Sequence, residues 1–124
     1  VRAAGAEERV LLTSFHTRAR GALIKLGYTG PVGFGLGQVL ALRFGPSTLL
    51  KLGRRTGDRI QIPVKQAAIS FMDAPFIKKM HALGVAVDFW TINDPEVAHA
   101  LVQLGADGII TDDPGLISAA LSPV

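Results

Sequence analysis

The clearest alternation of apolar and polar segments lies toward the end of the chain. The apolar run Val85–Trp90 predicts a buried strand, and Asp94 followed by Pro95 predicts the start of a helix. An Asp accepts a hydrogen bond from the first helical turn, and a Pro at that point has no N–H to leave unpaired. Gly105 ends the helical pattern, and Gly108–Ile110 predicts a second buried strand.

Both predicted strands are apolar runs rather than alternating patterns, as expected for a parallel sheet covered by helices on both faces. Segments with polar residues follow each strand, at Thr91-Ile92-Asn93 and at Thr111-Asp112-Asp113. Proteins of the α/β class place their chemistry just beyond the carboxyl ends of parallel strands. These two segments are therefore the first candidates for a functional site.

The rest of the chain repeats the alternation of strand and helix. The predicted strands are Arg9–Thr13, Pro31–Phe34, Arg59–Lys65, Val85–Trp90 and Gly108–Ile110. The predicted helices are Arg18–Leu26, Leu36–Leu42, Ser47–Leu52, Asp73–Leu83, the segment that Asp94 caps, and Pro114–Leu121. This order predicts parallel β/α units, either in an open doubly wound sheet or in part of a (β/α)8 barrel. The glycines at 33, 35 and 37 lack the spacing of a dinucleotide-binding loop.

Two motifs near the end of the chain resemble a known family. Phe89–Asp94 (FWTIND) and Leu104–Pro114 (LGADGIITDDP) are similar to the closing segment of glycerophosphodiester phosphodiesterases. Leu12–Phe15 (LTSF) and His81–Val85 (HALGV) resemble further segments of the same family. The resemblance favours the barrel, and it implies that residues 1–124 form the carboxyl-terminal part of a TIM (β/α)8 barrel.

The same resemblance identifies what this sequence lacks. In the family, a His-Arg-Gly motif, a Glu-x-Asp motif and a His-Asp element supply the general acid, the general base and the ligands of a divalent metal. None of these motifs occurs here. A complete barrel needs about 250 residues, and this chain has 124. We therefore expect no catalytic residue and no metal ligand in this chain. The full-length enzyme is expected to bind a divalent cation (Mg or Ca) through its amino-terminal half.

The resemblance implies that Trp90 lines the substrate pocket, as an apolar wall for the glycerol or leaving-group moiety. The competing interpretation is a core residue, because large aromatic side chains usually pack inside a protein. Phe15, which follows the first predicted strand, is a similar candidate based on a shorter motif. The longer motif makes Trp90 the stronger candidate of the two.

Lys65 and Asp88 are the remaining substrate-binding candidates, on two predicted neighbouring strands. With a period of two residues, Lys65 shares a face with Gln61 and Pro63, and Asp88 shares a face with Trp90. If the alternate apolar residues face the helices, Lys65 and Asp88 both point into the barrel, where they can form an ion pair near its mouth. A structural pair without a chemical role explains the same pattern equally well.

The other titratable residues do not suggest a catalytic arrangement. His81 and His99 fall on predicted helices and His16 lies just beyond a predicted strand, so the three do not form a ligand set. No Ser-His-Asp pattern and no zinc spacing occurs. Asp112 and Asp113 suggest either a metal site or, as the resemblance implies, a loop fixed by a carboxylate that accepts backbone hydrogen bonds. We favour the loop.

Composition narrows the class of protein without fixing a compartment. The chain is 48% hydrophobic and 19% charged, which is typical of a globular domain, and it has no Cys. No window approaches the ~18 consecutive apolar residues of a membrane-spanning helix. The net charge is +3, but the basic residues are scattered, so we expect no nucleic-acid partner. The start lacks an initiator Met and a signal-type apolar segment, which is typical of the interior of a longer protein.

Three functions are compatible with these patterns. The first is part of a phosphodiesterase that hydrolyses glycerophosphodiesters to an alcohol and glycerol 3-phosphate. The second is a non-catalytic phosphodiesterase-like module that binds a phosphorylated ligand or partner. The third and weakest is another phosphate-handling barrel, of the indole-glycerol-phosphate or aldolase type, for which no convincing glycine-rich phosphate loop occurs late in the chain. Open strand edges at Arg9–Thr13 and Gly108–Ile110 predict that the chain pairs with a missing amino-terminal half or, edge to edge, with a second copy.

Overall fold

The structure is a computed structural model of the 124-residue chain, and it describes residues 1–14, 16–46 and 59–123. The predicted helix Ser47–Leu52 and the candidate pocket residue Phe15 lie outside the described residues. Within the described residues, helices alternate with short strands along the chain, and the α/β class predicted from the sequence is confirmed. No helix of this described part is long and apolar enough to cross a lipid bilayer.

The chain divides into two compact units, of which the first is Val1–Ile60 with Ala82–Val85. Its helical elements in the described residues are the 3-10 helices Arg2–Ala4 and Glu7–Arg9 and the α-helices α1 (Thr17–Lys25) and α2 (Leu36–Phe44). The helices predicted at Arg18–Leu26 and Leu36–Leu42 are therefore confirmed. Its buried apolar residues include Val32, Val39 and Leu42.

In place of the two strands predicted in the first unit, the structure has a single parallel bridge between Leu12 and Val32. The predicted ranges, Arg9–Thr13 and Pro31–Phe34, are therefore wrong as continuous strands. Pro31 has no N–H with which to continue a ladder. The Tyr28 hydroxyl donates instead to the carbonyl of Val10 at 2.6 Å, an oxygen that Pro31 cannot reach with a donor. Contacts from distant residues thus replace the expected sheet pairing.

The second unit, Gln61–His81 with Ala86–Val124, contains the sheet that positions the candidate site. The strands are β1 (Arg59–Pro63), β2 (Lys65–Gln66), β3 (Ile69–Ser70), β4 (Ala86–Trp90) and β5 (Gly108–Ile109). One sheet has the order β1-β4-β5, and β2 pairs with β3; the boundary between the two units falls within β1. Strands β4 and β5 are parallel, with Asp88 opposite Gly108 and Phe89 opposite Ile109. The predicted strands at Val85–Trp90 and Gly108–Ile110 are confirmed to within one residue.

Helices α3 (Ala74–Ala82), α4 (Pro95–Gln103) and α5 (Pro114–Leu121) supply part of this unit's apolar core. Their buried side chains are Phe76, Ile77, Met80, Ala98, Leu101 and Ile117. Full burial of one large apolar side chain contributes about 1.5–3 kcal/mol. In β4, Val87, Asp88 and Phe89 are all buried. Consecutive buried residues mean that β4 is covered on both faces, as its mainly apolar sequence predicts.

The strand predicted at Arg59–Lys65 ends two residues early, at Pro63. Lys65 instead begins the β2–β3 hairpin, whose two strands are antiparallel. Phe71, which follows the hairpin, is fully buried and donates its N–H to the Val64 carbonyl at 2.8 Å. Phe71 lies outside the two strands of the hairpin, and its burial holds the hairpin in place. The alternation of apolar residues within the hairpin therefore could not predict this structure.

The helix ends in the second unit follow the local sequence closely. Asp94 Oδ1 accepts the N–H of Glu96 at 2.8 Å, and Asp113 Oδ1 accepts the N–H of Leu116 at 3.0 Å, so an Asp caps α4 and another caps α5. Each cap of this kind contributes about 0.5–2 kcal/mol. Gly105, just beyond α4, has φ +103°, a conformation that L side chains rarely adopt. The predicted start and end of this helix are confirmed.

Candidate functional site at the ends of β4 and β5

The carboxyl ends of β4 and β5 are held side by side. The N–H of Ile110 donates to the Phe89 carbonyl at 2.8 Å, and the N–H of Ile92 donates to the Ile110 carbonyl at 2.9 Å. The pairing therefore continues past the last residue of each strand. It brings together the two polar segments that the sequence predicts as a site, residues 91–93 and 111–113.

The side chain of Asn93 joins these two segments beyond the last backbone hydrogen bond. Its Oδ1 accepts from the Thr111 hydroxyl at 2.9 Å and from the N–H of Asp112 at 3.0 Å. Its Nδ2 donates to Asp112 Oδ2 at 2.9 Å. Net contributions of such bonds are about 0.5–1.5 kcal/mol each, and exposure to solvent favours the lower end. We call this set of contacts the Asn93 link.

The two adjacent carboxylates of the loop have different partners. Asp113 accepts from the N–H of Leu116, and its own N–H donates to the Thr111 hydroxyl at 3.1 Å. Asp112 accepts from the side-chain amide of Asn93. The carboxylate that fixes the loop on a backbone N–H is thus that of Asp113, whereas Asp112, the Asp of the Thr-Asp-x-Pro motif, binds a side-chain amide.

Trp90 is the last residue of β4, and its side chain is partly exposed, whereas the neighbouring Phe89 is fully buried. The peptide bond between Trp90 and Thr91 is cis. A large indole that stays partly open to solvent is not a fully buried core residue. Its place at a strand end, three residues before Asn93, is where a pocket wall is expected. Contact between Trp90 and a substrate stays a prediction.

The ion pair predicted between Lys65 and Asp88 is wrong. Lys65 is exposed in the hairpin, Asp88 is 5% exposed within β4, and no salt bridge joins them in the described part of the chain. The reason is that β1 ends at Pro63, so Lys65 does not continue its alternation. Separate roles of the two residues in substrate binding stay predictions.

His81 has a partner that its helical position alone did not indicate. Its Nε2 lies 2.7 Å from Asp107 Oδ2, and the same oxygen accepts the N–H of Val87 at 2.7 Å. Val87 lies near the start of β4 and Asp107 just before β5, so this contact is at the opposite end of the strands from the Asn93 link. We therefore assign it a structural role. His99, on α4, is exposed.

The residues that the structure describes do not fit a divalent cation. They contain no group of three or more His, Asp or Glu side chains placed to hold a metal ion. The adjacent Asp112 and Asp113 are engaged by Asn93 and by the first turn of α5. We assign no chemical step in this part of the chain to a metal.

An apolar groove lies between α4, β5 and α5. Its volume is about 310 Å³. Its lining includes Val102, Ile109, Ile117 and Leu121. The lining offers few groups for acid–base chemistry, because it is mainly apolar. The groove is thus a candidate contact surface, and the strand ends with the Asn93 link are the candidate site.

Parallel β/α units with polar residues gathered at the carboxyl ends of adjacent strands are typical of β/α-barrel enzymes. The chain belongs to the glycerophosphoryl diester phosphodiesterase family, whose profile matches residues 3–116. The family has the TIM-barrel fold and is generally dependent on a divalent metal. The family predicted from the two closing motifs is confirmed.

One curated relative is "Probable glycerophosphodiester phosphodiesterase 2" of Mycobacterium tuberculosis (strain ATCC 25618 / H37Rv). The two sequences are 29% identical over an alignment of length 121, and the match covers 94% of this chain and 46% of the relative. The chain therefore spans about half the length of the curated relative that it matches. The activity and the substrates of the whole protein are accordingly matters of proposal.

Proposed function

We propose that this chain is part of a phosphoric diester hydrolase that cleaves glycerophosphodiesters to an alcohol and glycerol 3-phosphate. One observation carries the proposal: the family match over residues 3–116 includes both polar segments that the Asn93 link joins at the ends of β4 and β5. In a TIM barrel, the active site lies at this carboxyl-terminal face.

Trp90 supplies an apolar wall for the glycerol or leaving-group moiety. Trp90 is partly exposed, whereas the preceding residue, Phe89, is fully buried and Ile92, two residues later, is 4% exposed. Apolar surface removed from water on binding contributes roughly 25 cal/mol per Å². Phe15 is proposed as a further apolar contact on its sequence motif alone.

Lys65 and Asp88 act on the substrate separately and not as an ion pair. Lys65 is an exposed cation in the β2–β3 hairpin, and a lysine ammonium is a common partner of phosphate groups. Asp88 is 5% exposed and lies two residues before Trp90 on β4. A carboxylate at that position is suited to accept hydrogen bonds from the hydroxyls of glycerol.

The acid–base chemistry is assigned to residues outside this chain. The sequence lacks the His-Arg-Gly, Glu-x-Asp and His-Asp motifs of the family, and the aligned region covers 46% of the mycobacterial relative. Residues 1–124 are thus proposed as the carboxyl-terminal part of a barrel. An amino-terminal half completes it with the general acid and base and with the ligands of a divalent cation, Mg or Ca.

The alternative is a non-catalytic phosphodiesterase-like module that binds a phosphorylated ligand or partner. The observation that favours it is the same lack of acid, base and metal-binding motifs in the sequence. A barrel can retain a pocket for its ligand without retaining the groups that perform the reaction. Turnover by the whole protein therefore separates the two functions.

The test uses the whole translation product of the gene that encodes this chain. It is incubated with glycerophosphocholine and with a chromogenic phosphodiester, in the presence of Mg or Ca and in the presence of a chelator. The enzyme hypothesis predicts cation-dependent turnover. Binding of glycerol 3-phosphate without turnover supports the module, and the absence of both binding and turnover rejects both functions.

A further inference from the structure

Asn93 occupies a position that only an amide of its length satisfies fully. Its Oδ1 accepts two hydrogen bonds, from Thr111 and Asp112, and its Nδ2 donates one to Asp112. An Asp at this position keeps the acceptors but loses the donor, and an Ala loses all of these groups. The link between the two strand ends therefore depends on the side chain at position 93.

The Asn93 link lies where the backbone pairing of β4 and β5 stops. The last backbone hydrogen bond runs from the N–H of Ile92 to the Ile110 carbonyl. The bond before it runs from the N–H of Ile110 to the Phe89 carbonyl. Along the sequence, Trp90 therefore lies between the two residues, Phe89 and Ile92, that make these bonds. Without Asn93, the bond at Ile92 becomes the free end of the pairing, and free ends open most readily. The position of the indole thus depends on the segment that Asn93 holds.

We propose that Asn93 is a positioning residue for Trp90. By holding residues 91–93 on the loop Thr111–Asp113, it presents the indole as a rigid wall at the strand end. An aromatic group that is ordered before binding loses less conformational freedom when the ligand arrives. The identity of that ligand, a glycerophosphodiester, rests on the proposed function, whereas the holding of the indole does not depend on any ligand.

The amide of Asn93 and the carboxylate of Asp112 can be exchanged between the two positions by substitution, which tests their contact. In Asn93→Asp, two carboxylates face each other across a contact that now measures 2.9 Å, and like charges at such a distance repel. In Asp112→Asn, a neutral amide oxygen still accepts from Asn93. In the double variant the donor and acceptor exchange places, and the formal net charge of +3 is retained.

Trp90 is the only tryptophan of the chain, so its fluorescence reports on this wall directly. Acrylamide quenching at neutral pH is compared among the parent chain, the two single variants and the double variant. Gln103→Glu is the control, since it makes the amide-to-carboxylate change at an exposed position of α4. We expect the quenching constant to rise about twofold in Asn93→Asp through local opening of the segment. The other variants should stay at the parent value.

Unchanged quenching in Asn93→Asp overturns the proposal, and so does a raised constant that persists in the double variant. If Asn93→Asp fails to fold, a double variant with parent-like folding and quenching supports the proposal, and failure of both overturns it. Glycerol 3-phosphate is then titrated into the parent chain. A response places Trp90 at the ligand, whereas the proposed function itself is decided by turnover and binding in the whole translation product; the quenching comparison is made without ligand and stands apart from both.

Discussion

The carboxylate of Asp107 joins the end of α3 to the starts of β4 and β5 through a single oxygen. Asp107 Oδ2 lies 2.7 Å from His81 Nε2 and accepts the N–H of Val87 at 2.7 Å. The N–H of Asp107 also donates to the Val87 carbonyl at 2.8 Å. Because β4 and β5 lead directly to Trp90 and Thr111, this junction helps to set the register on which the candidate site is built.

We expect Asp107→Ala to lower the free energy of unfolding by about 1–3 kcal/mol, since the Val87 N–H loses its acceptor. The side chains of His81 and Asp107 are 41% and 34% exposed, which favours the lower end of that range. Urea denaturation measures the change. His99→Ala, at an exposed position of α4, is the control and should stay within about 0.5 kcal/mol of the parent. Equal losses in the two variants would contradict a specific role for the junction.

Gly105→Ala is expected to destabilise the chain by about 1–3 kcal/mol because of its backbone conformation. An added Cβ would lie 3.4 Å from Ile77 Cγ2, which is nearly an ordinary contact, but φ is +103°. Gly115→Ala is the matched control, because Gly115 is in the first turn of α5 and the nearest atom to an added Cβ is Asp113 Oδ1 at 3.6 Å. Thermal melting should show a lower midpoint for the first variant and no loss for the second. The reverse order would be inconsistent with the assigned conformations.

Trp90→Ala, made in the whole protein, is expected to weaken catalytic efficiency by about 1–3 kcal/mol, the value of one lost apolar wall. Trp90→Phe keeps an aromatic surface and should lose less. Steady-state kinetics are compared with melting curves of the same variants. If the kinetics are unchanged while the melting temperature falls strongly, Trp90 is a core residue and not a pocket wall.

The 124-residue chain, purified alone, is expected not to hydrolyse glycerophosphocholine or a chromogenic phosphodiester. The reason is that the sequence lacks the family motifs that supply acid, base and metal ligands. The assay is run with Mg and with Ca, and a catalytically competent phosphodiesterase serves as the positive control. Metal-dependent turnover above background by the chain would refute this expectation.

Local chemistry made some of this fold predictable. The helix start at Asp94 and Pro95 and the strand Val85–Trp90 follow from residues that are neighbours in sequence. The β2–β3 hairpin does not, because it depends on the burial of Phe71 after the turn. Likewise, the local pattern of the first predicted strand does not indicate that the Tyr28 hydroxyl reaches the Val10 carbonyl from eighteen residues away.

The candidate site was predictable in its location but not in its contacts. The strand-end motif identified both segments, since polar residues after buried strands are a local signal. The partners of Asn93 lie on the next strand, 18 and 19 residues further along the chain. Only the register of β4 against β5 determines that the Asn93 amide meets Thr111 and Asp112. The His81–Asp107 contact needs the same register and was missed for the same reason.

The isolated chain is expected not to be a stable monomer. In the described residues, β5 is the last strand of its sheet, and the apolar groove lies beside it. Val102, Ile110 and Leu116 are 45%, 38% and 48% exposed in the same unit. An open strand edge with apolar neighbours favours pairing, either with the amino-terminal half of the barrel or with a second copy edge to edge. The edge predicted at Arg9–Thr13 does not support this expectation, since no continuous strand forms there.

Sedimentation velocity at micromolar concentration measures this association. The 124-residue chain should sediment as a dimer or larger species, and addition of the missing half, where the gene encodes one, should replace that species with a complex. A compact monomer that melts cooperatively would show that the backbone N–H and C=O groups at the β5 edge do not require a second chain as a partner.

The identity of the reaction products tests the central claim most directly. Glycerophosphocholine is incubated with the whole translation product and a divalent cation, and the phosphorus NMR spectrum is followed over time. Cleavage on the side that we propose gives glycerol 3-phosphate and choline. The phosphomonoester resonance that grows as the diester resonance falls is then that of glycerol 3-phosphate. Formation of phosphocholine and glycerol, or an unchanged diester resonance with a correctly folded protein, would contradict it.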